Sequence, residues 1–487
     1  MKKTVHILGS GFSSLAAASY LARDGYEVTV YEKNADLGGR ARQFQKDGFS
    51  FDMGPTWYWM PDVFERFFAD FGKKPSDYYQ LIKLNPAYQV HFGPDEVITI
   101  GDQLETIIKT FESIEAGSGQ RLRTFMAAAR ENYDIAIKDL VYRPGESPLE
   151  LVSWQTMRKI SQFLGNISAD VRSIFKDQRL IQILEFPVLF LGAKPSQTPS
   201  FYNFMNYADF GLGTWHPKGG MIQVVRGMVQ LARDLGVTFV TNAEVSRIRV
   251  RQGKVAGIDV NGQMVPVERL ISGADYAHTE TLLDPIYRQY SENYWDKRIF
   301  APSALLFYVG FNKKMTGVAH HSLFFDVPFD PHAEAIYDQP AWPENPLFYA
   351  SFPSKTDPES APTGYEAGIF LIPLAPGLTD TPALREQYFE KIITRLENLT
   401  NQQVKTNILF KESFGISDFI SAYNAFKGNA YGLANTLLQT AFLRPNLRSR
   451  KVKQLYFTGQ LTVPGPGVPP ALISGKLTAQ LLVKHDI

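Results

Sequence analysis

"VHILGSGFSSLAAASYLARDGYEVTVYEKNADLGGRA" (residues 5–41) is the stretch on which the fold turns. Val5, Ile7 and Leu8 form a short apolar run ending at Gly9, the pattern of a buried parallel strand. Leu15, Ala18 and Leu21 recur at helical spacing up to Gly25, and "YEVTVYE" alternates into a second strand ending at Glu32. The unit reads strand, turn, helix, strand. Gly9 permits the tight turn. Gly11 lets the backbone approach a pyrophosphate at the helix N-terminus, where free N–H groups and the helix dipole favour anions. Ser14 stands where a third glycine is usual; that position serves close helix–strand packing, so a small residue is a mild departure. Glu32 follows the turn at about twenty residues, where a carboxylate can accept ribose hydroxyls. The alternative for Glu32 alone is a solvated strand-end acid.

The next residues decide which nucleotide is expected. "GGRARQFQKDGFSFDMGPTW" (residues 38–57) brings a second glycine turn, Gly38-Gly39, followed at once by Arg40. A second backbone nest with a guanidinium adds another anion contact to the same pyrophosphate. A nicotinamide that comes and goes needs no second clamp; a retained FAD does. A surface arginine after a turn is the competing reading of Arg40.

Composition narrows the classes. The 487 residues suffice for two or three domains, and 50 basic against 49 acidic residues indicate no nucleic-acid partner. Cysteine is absent, which removes disulfides, thiolate metal sites and a cysteine nucleophile. The eight histidines form no metal pattern; His320 and His321, adjacent on an expected strand, should point apart. No G-x-S-x-G elbow is present. No apolar run approaches the roughly 18–20 residues that span a bilayer, and no signal peptide fits before Gly9. The expectation is a cytoplasmic chain lying on a membrane surface.

With these motifs in hand, the chain resembles the flavin amine oxidase and carotenoid desaturase superfamily, and within it the bacterial phytoene desaturases. The resemblance rests on Val5 through "FDMGPTWYWMPDVFERFF" (residues 51–68), on "KGGMIQVVRGMVQLARDLGVTFVTNAEVSRI" (218–248) with "ISGADYAHTE" (271–280), and on "LYFTGQLTVPGPGVPPALISGKLTAQLL" (455–482). Together these cover about a third of the chain. The resemblance implies an α/β fold: a discontinuous Rossmann-like FAD-binding domain, a mixed-sheet substrate domain and a helical lid. The expected boundaries are 1–78, 205–280 and 441–487 for the FAD-binding segments, 79–204 for the lid and 281–440 for the substrate domain.

It also implies a cofactor contour. Phe12 and Ser13 follow Gly11, and Lys33 follows Glu32. Gly39 and Arg40 form the second clamp. Gly54, Pro55, Thr56 and Trp57 lie by the flavin, and Val245 lays its backbone against the adenine unless it is an ordinary strand valine. Many superfamily members carry an acid after the glycine corresponding to Gly459; Gln460 keeps an acceptor there but loses the charge. Gly467 and Val468 open a helix behind prolines, whose N–H groups would face the pyrimidine edge of the flavin. Prolines and glycines there could also simply make turns.

The implied reaction is FAD-dependent desaturation of a long apolar polyene, most directly phytoene toward lycopene-type products, in a channel with few polar groups. Asp52 is near the flavin by position, with a structural role equally open, and no catalytic residue is assigned. Trp57, Tyr58 and Trp59 either line an apolar tunnel or belong to the core. Alternatives are a later-pathway or thirty-carbon carotenoid desaturase, a carotenoid cis–trans isomerase, an amine oxidase with an aromatic cage, or a non-catalytic flavin-stabilised lipid-binding protein. Quinone or oxygen as electron acceptor, and a homo-oligomer, stay open. The expected membrane entrance is "IQILEFPVLFLGAKP" (residues 181–195): Ile183, Leu184, Phe186, Val188, Leu189, Phe190 and Leu191 are too dense for one face of a surface helix, and Pro187 should interrupt it. An internal lid-to-core contact is the competing reading. The basic run "RSRKVK" (448–453) is a solvated face or, alternatively, a contact to anionic lipid.

Overall fold

A computed structural model describes residues 3–151, 154–189 and 192–486. The opening stretch folds as read: β1 (Thr4–Leu8), α1 (Phe12–Arg23) and β2 (Glu27–Tyr31). They belong to a five-stranded parallel sheet in the order Leu455–Phe457, Leu270–Ser272, β1, β2, Thr238–Val240. Strands from three distant stretches of chain thus make one sheet. Val5, Ile7, Val28, Val30, Leu270 and Ile271 are buried within it, as strands covered on both faces require.

Close backbone approaches set its geometry. Gly9 has φ +82°, which the turn demands. The missing third glycine at Ser14 is compensated across the sheet: a Cβ on Gly273 would fall inside 3.0 Å of Ser14 Oγ, so the glycine needed for this contact sits on the facing strand end. The C-terminal helix Val468–His485 packs on α1 through Gly475, where a Cβ would fall inside 3.0 Å of both Ser13 O and Ala16 Cβ. The turns at Gly253 and Gly262 close a three-stranded meander, Val245–Arg251, Lys254–Val260 and Gln263–Pro266. "VTFVTNAEV" is two strands rather than one: Thr238–Val240 ends the parallel sheet and Val245 begins the meander.

The second layer is a seven-stranded mixed sheet in the order Ile408–Phe414, Ser303–Phe311, Glu366–Leu374, Phe348–Ser351, His321–Phe324, Tyr88–Gly93, Glu96–Ile100. All its pairings are antiparallel except His321–Phe324 with Tyr88–Gly93. Ser303–Phe311 is buried along its whole length. The helix Pro382–Thr400 covers one face through Tyr388, Phe389, Ile392, Ile393 and Leu396, while Phe49 and Phe51 pack on the other.

Three expectations need correction. Residues 79–100 are not helical; they supply the short strand Leu81–Lys83 and two strands of the mixed sheet, and helices begin at Leu104. "YQVHFG" and "EVITI" alternate with period two, which a local reading of this region as helical overlooked. Pro187 does not break the helix, which runs on through it from Gln178 to Leu189. Ile183, Leu184, Phe186 and Val188 in that helix are buried, so this stretch is a core wall and not a membrane entrance; Phe190 and Leu191 lie outside the described residues. No helix among the described residues is long and apolar enough to cross a membrane.

Replacing Gly475 by Leu must push the C-terminal helix off α1, an overpacking worth about 1–3 kcal/mol or more. Thermal unfolding of Gly475→Leu should show a clearly lowered midpoint, with Gln480→Leu on the exposed side of the same helix close to wild type. Equal midpoints in the two variants would show that this contact does not hold the helix.

Candidate functional site

A cavity of about 470 Å³ runs from the C-terminal ends of the parallel strands to the mixed sheet. Every residue expected at the cofactor lines it: Gly9, Gly11, Phe12, Ser13, Glu32, Lys33, Gly39, Arg40, Gly54, Pro55, Thr56, Trp57, Val245, Gly459, Gln460, Gly467 and Val468. Ligands of open parallel sheets bind in this crevice, beyond the carboxyl ends of the strands.

At the sheet end, backbone presents the donors. α1 starts at Gly11 with no side-chain cap, leaving its first N–H groups directed at the cavity. Gly39, at φ +59°, is close enough that a Cβ would lie 3.1 Å from Gly11 Cα, so the two glycine turns are stacked on one spot. Ser10 ties them together: its Oγ lies 3.1 Å from Gly38 N and donates to Glu32 Oε2 at 2.7 Å. Glu32 is buried and also accepts from Ser10 N–H, Asn34 N–H and Asn34 Nδ2 at 2.9–3.0 Å. Lys33 reaches Ser421 O and Asn424 Oδ1, closing this end with the loop after Ile416–Tyr423.

Arg40 is the charged group of the site. It is half-buried, Nη2 donates to Asn429 O at 3.2 Å, its guanidinium lies 5.3 Å from the Tyr423 ring, and its buried Nε has no partner. No carboxylate among the described residues forms an ion pair with it. Burial draws its pKa below the usual guanidinium value, opposed by nearby Asp275. Gln460 joins the same group: with its amide turned to satisfy both ends, Oε1 accepts from Arg40 Nη2 and Gly432 N–H, each at 3.2 Å. Gly54 is fixed by the same region, since a Cβ there would fall inside 3.0 Å of Arg40 O. Opposite, the helix Val468–His485 starts at Gly467 without a side-chain cap, its N-terminus facing the cavity. Uncapped helix ends, stacked glycine turns and a guanidinium with an unspent donor fit a group that brings a pyrophosphate.

Sequence reasoning missed the residues that hold this arrangement. Asp275 caps the helix Tyr276–Thr281 and also takes Phe426 N–H and Asn429 Nδ2 at 3.2 Å, which fixes the loop that contacts Arg40. Arg444 is fully buried and donates to Thr462 O, Asn435 Oδ1, Gln439 O, Leu433 O and Gln460 O at 2.6–3.1 Å. Burial lowers its pKa to about 10. Asp275 lies within the quoted stretch 271–280 and Arg444 in no motif, but only the fold shows what either bridges. Asp52 is not among the residues lining the cavity: Oδ2 accepts Met221 N–H at 2.9 Å at the start of the helix Ile222–Asp234, and burial raises its pKa to about 6.

The far end of the cavity is apolar, walled by Phe186, Leu189, Met205, Leu306, Leu323, Phe325, Ile336 and Leu371. Its polar groups are largely committed. His332 donates from Nε2 to Pro373 O at 2.8 Å and accepts Leu347 N–H on Nδ1 at 2.9 Å. Trp59 Nε1 donates to Thr214 Oγ1 at 2.8 Å. His320 and His321 do not point apart. Their ring centroids are 4.5 Å apart, because His320 precedes the strand and escapes its alternation, and His216 lies 4.7 Å from His320. No group of three or more His, Asp or Glu among the described residues is placed to hold a metal ion.

Comparison with known proteins agrees with this architecture. The profile of the flavin containing amine oxidoreductases matches residues 12–483. A carotenoid 3,4-desaturase of Haloarcula japonica is 42% identical over 484 residues, 99% of this chain and 98% of that protein. A zeta-carotene-forming phytoene desaturase of Myxococcus xanthus is 31% identical, covering 99% and 94% of the two chains. A 4,4'-diapophytoene desaturase of Staphylococcus haemolyticus is also 31% identical, over 99% of this chain and 98% of that one. Among solved structures, putrescine oxidase shares the fold with a TM-score of 0.61 at 15% identity over all of both chains. Cyclohexylamine oxidase from Brevibacterium oxydans does so with a TM-score of 0.61 at 13% identity, over 99% of each. The chain belongs to the flavin containing amine oxidoreductases, on their carotenoid desaturase branch, and is an FAD-dependent oxidoreductase.

Proposed function

We propose that the chain desaturates a carotenoid, drawing the polyene into the apolar end of the cavity against the flavin. The observation that carries this reading is the continuity of one cavity from an anion cradle to an apolar wall. A hydrocarbon offers nothing for a charged group to grip, so shape and water exclusion must position it. Bound FAD supplies the oxidising power, accepting a hydride from an allylic carbon. The chain's own residues do the rest. Arg40 and the N–H groups after Gly9, Gly11 and Gly39 hold the pyrophosphate. Glu32 receives the ribose, exchanging one of its present donors for a hydroxyl. The N-terminus of the helix from Val468 stabilises negative charge at the pyrimidine edge. The 42% relative favours a preformed polyene desaturated at its 3,4 bond over the phytoene expected from motifs alone.

We propose a lipid-facing surface other than residues 181–195. Leu149, Trp154, Ile160 and Leu164 are 61–76% exposed, as is Leu438 at 75%, with Leu437 and Leu443 beside it. The two segments meet around Ser200–Asn203: Phe163 stacks on Phe201 at 4.5 Å, and Tyr202 Oη lies 2.9 Å from Thr440 Oγ1. An exposed apolar cluster of this kind suits an interaction surface, and the proposed bilayer-soluble substrate favours a membrane as its partner.

Three outcomes follow. Arg40→Ala should weaken FAD binding by about 1.5–3 kcal/mol, the range for a charged hydrogen bond. Arg40→Lys should recover only part of that, since a point charge replaces a fork; an unchanged FAD dissociation constant in the alanine variant removes Arg40 from the site. Incubating FAD-loaded protein with phytoene, or with a polyene still saturated at its 3,4 bond, should give product at longer wavelength with the second substrate preferred. No product from either would overturn the desaturase reading. Trp154→Ser with Leu164→Ser should keep fold and flavin but abolish sedimentation with phosphatidylcholine–phosphatidylglycerol vesicles. Unchanged sedimentation would place the lipid contact elsewhere.

A further inference from the structure

Desaturation removes a proton as well as a hydride, and the apolar end of the cavity has few groups to receive it. His332 has both ring nitrogens committed to backbone, and Trp59 is held by Thr214. Tyr349 differs. It lines the cavity from the strand Phe348–Ser351, and its Oη lies 2.7 Å from His321 Nδ1 and 2.8 Å from Thr56 Oγ1. His321 is fully buried, with the Trp57 ring stacked on it at 4.1 Å and 11°, and its Nε2 has no hydrogen-bond partner. Behind it stand His320, whose Nδ1 lies 3.0 Å from half-buried Thr356 Oγ1, and His216, whose Nε2 lies 3.4 Å from Asp357 Oδ2. Tyr349, His321 and Thr56 are thus joined by hydrogen bonds at the cavity wall, while His320 stands beside His321 with its ring centroid 4.5 Å away and no hydrogen bond between them, both Nε2 atoms being without a partner.

We propose that Tyr349, backed by His321, takes the proton that leaves the carotenoid. This step rests on the desaturase reading. With FAD bound as the oxidant, one C–H bond would give it a hydrogen with its electron pair, leaving an allylic cation that can take the hydride back, so that net flavin reduction waits on loss of the neighbouring proton. The neighbouring C–H gives its proton to Tyr349 Oη and its electron pair to the new C=C bond, while the phenolic proton of Tyr349 passes to His321 Nδ1. Tyr349 ends neutral and His321 carries the charge. The relay uses the arrangement in which Thr56 Oγ1 donates to Tyr349 Oη, which leaves the phenolic hydrogen for His321 Nδ1.

The surroundings suit a transient carrier. Burial and neighbouring His216 hold His321 well below the usual imidazole value, and burial raises Tyr349. The titratable groups around His321 are thus Tyr349, His320 and His216, with Asp357 behind His216. His321 begins neutral, and its imidazolium is acidic enough to give the proton up again. So weak a base suffices, because a hydrogen beside a carbocation is strongly acidic. At ordinary pH acidification should not switch the step off, since His321 is neutral well below its usual range.

The test uses FAD-loaded protein and the carotenoid that wild type turns over in the panel above. Flavin bleaching is followed without oxygen in H2O and in D2O. Tyr349→Phe should slow bleaching by about 10²–10⁴-fold, the range for general acid–base assistance. His321→Asn, which keeps a hydrogen-bond acceptor but cannot carry a proton, should slow it less. Both should lose the D2O effect while FAD content and thermal midpoint stay at wild type. ¹⁵N spectra of histidine-labelled protein should show one Nδ1 resonance moved by Tyr349→Phe. Bleaching at the wild-type rate in Tyr349→Phe, or a D2O effect retained in His321→Asn, overturns the relay alone. Should Tyr349→Phe fail to fold, His321→Asn decides by the same D2O criterion. Wild-type protein inert toward every carotenoid overturns the desaturase reading, and the relay with it.

Discussion

Backbone meeting backbone is the constraint on which the site depends. The crossing of Gly54 over Arg40, the contact of Gly273 with Ser14 and the seating of Gly475 on Ser13 leave no room for a Cβ, and one on Gly39 would press to 3.1 Å from Gly11 Cα. Together they bring a helix N-terminus, a glycine nest, a guanidinium and a second helix N-terminus to one crevice. Each N–H there is directed by chain geometry rather than by a rotamer, so its orientation carries no side-chain entropy cost. Anion binding by such preset donors needs little reorganisation.

The cavity also divides its two tasks by polarity. The end beneath the parallel sheet is rich in fixed dipoles and holds Arg40. The end beneath the mixed sheet is mostly hydrocarbon, with His332 and Trp59 committed to neighbours and Tyr337, Tyr349 and Tyr431 among its lining. Low dielectric strengthens any charge interaction at the junction, because water is not there to screen it. Tyr349, hydrogen-bonded to His321 and Thr56, stands on the wall of that cavity as the group to which the proposed proton transfer is assigned.

Much of this was legible locally. Strand, turn and helix at the N-terminus follow from period and glycine placement, and the residues assigned to the cofactor contour converge on one cavity. What local reading missed has particular causes. The strands Tyr88–Gly93 and Glu96–Ile100 lay in a region otherwise helical in pattern. The apolar density of residues 181–189 is the same whether the helix faces lipid or core; the packing of Phe186 against Trp57 at 5.7 Å settles it for the core. His320 and His321 converge because the strand begins between them, a boundary that alternation alone does not locate.

The sequence by itself determined the parallel unit, the second glycine turn at Gly38-Gly39 and the helix start at Gly467, because each depends on contacts between near neighbours in the chain. Only the tertiary structure decided the rest. Asp275 bridging to Asn429, Arg444 binding five acceptors, Gly273 replacing the glycine absent at position 14, and Tyr349 meeting His321 and Thr56 all join residues far apart in sequence. Such contacts are set by how sheets and helices pack, and packing is a property of the whole core that no local period encodes.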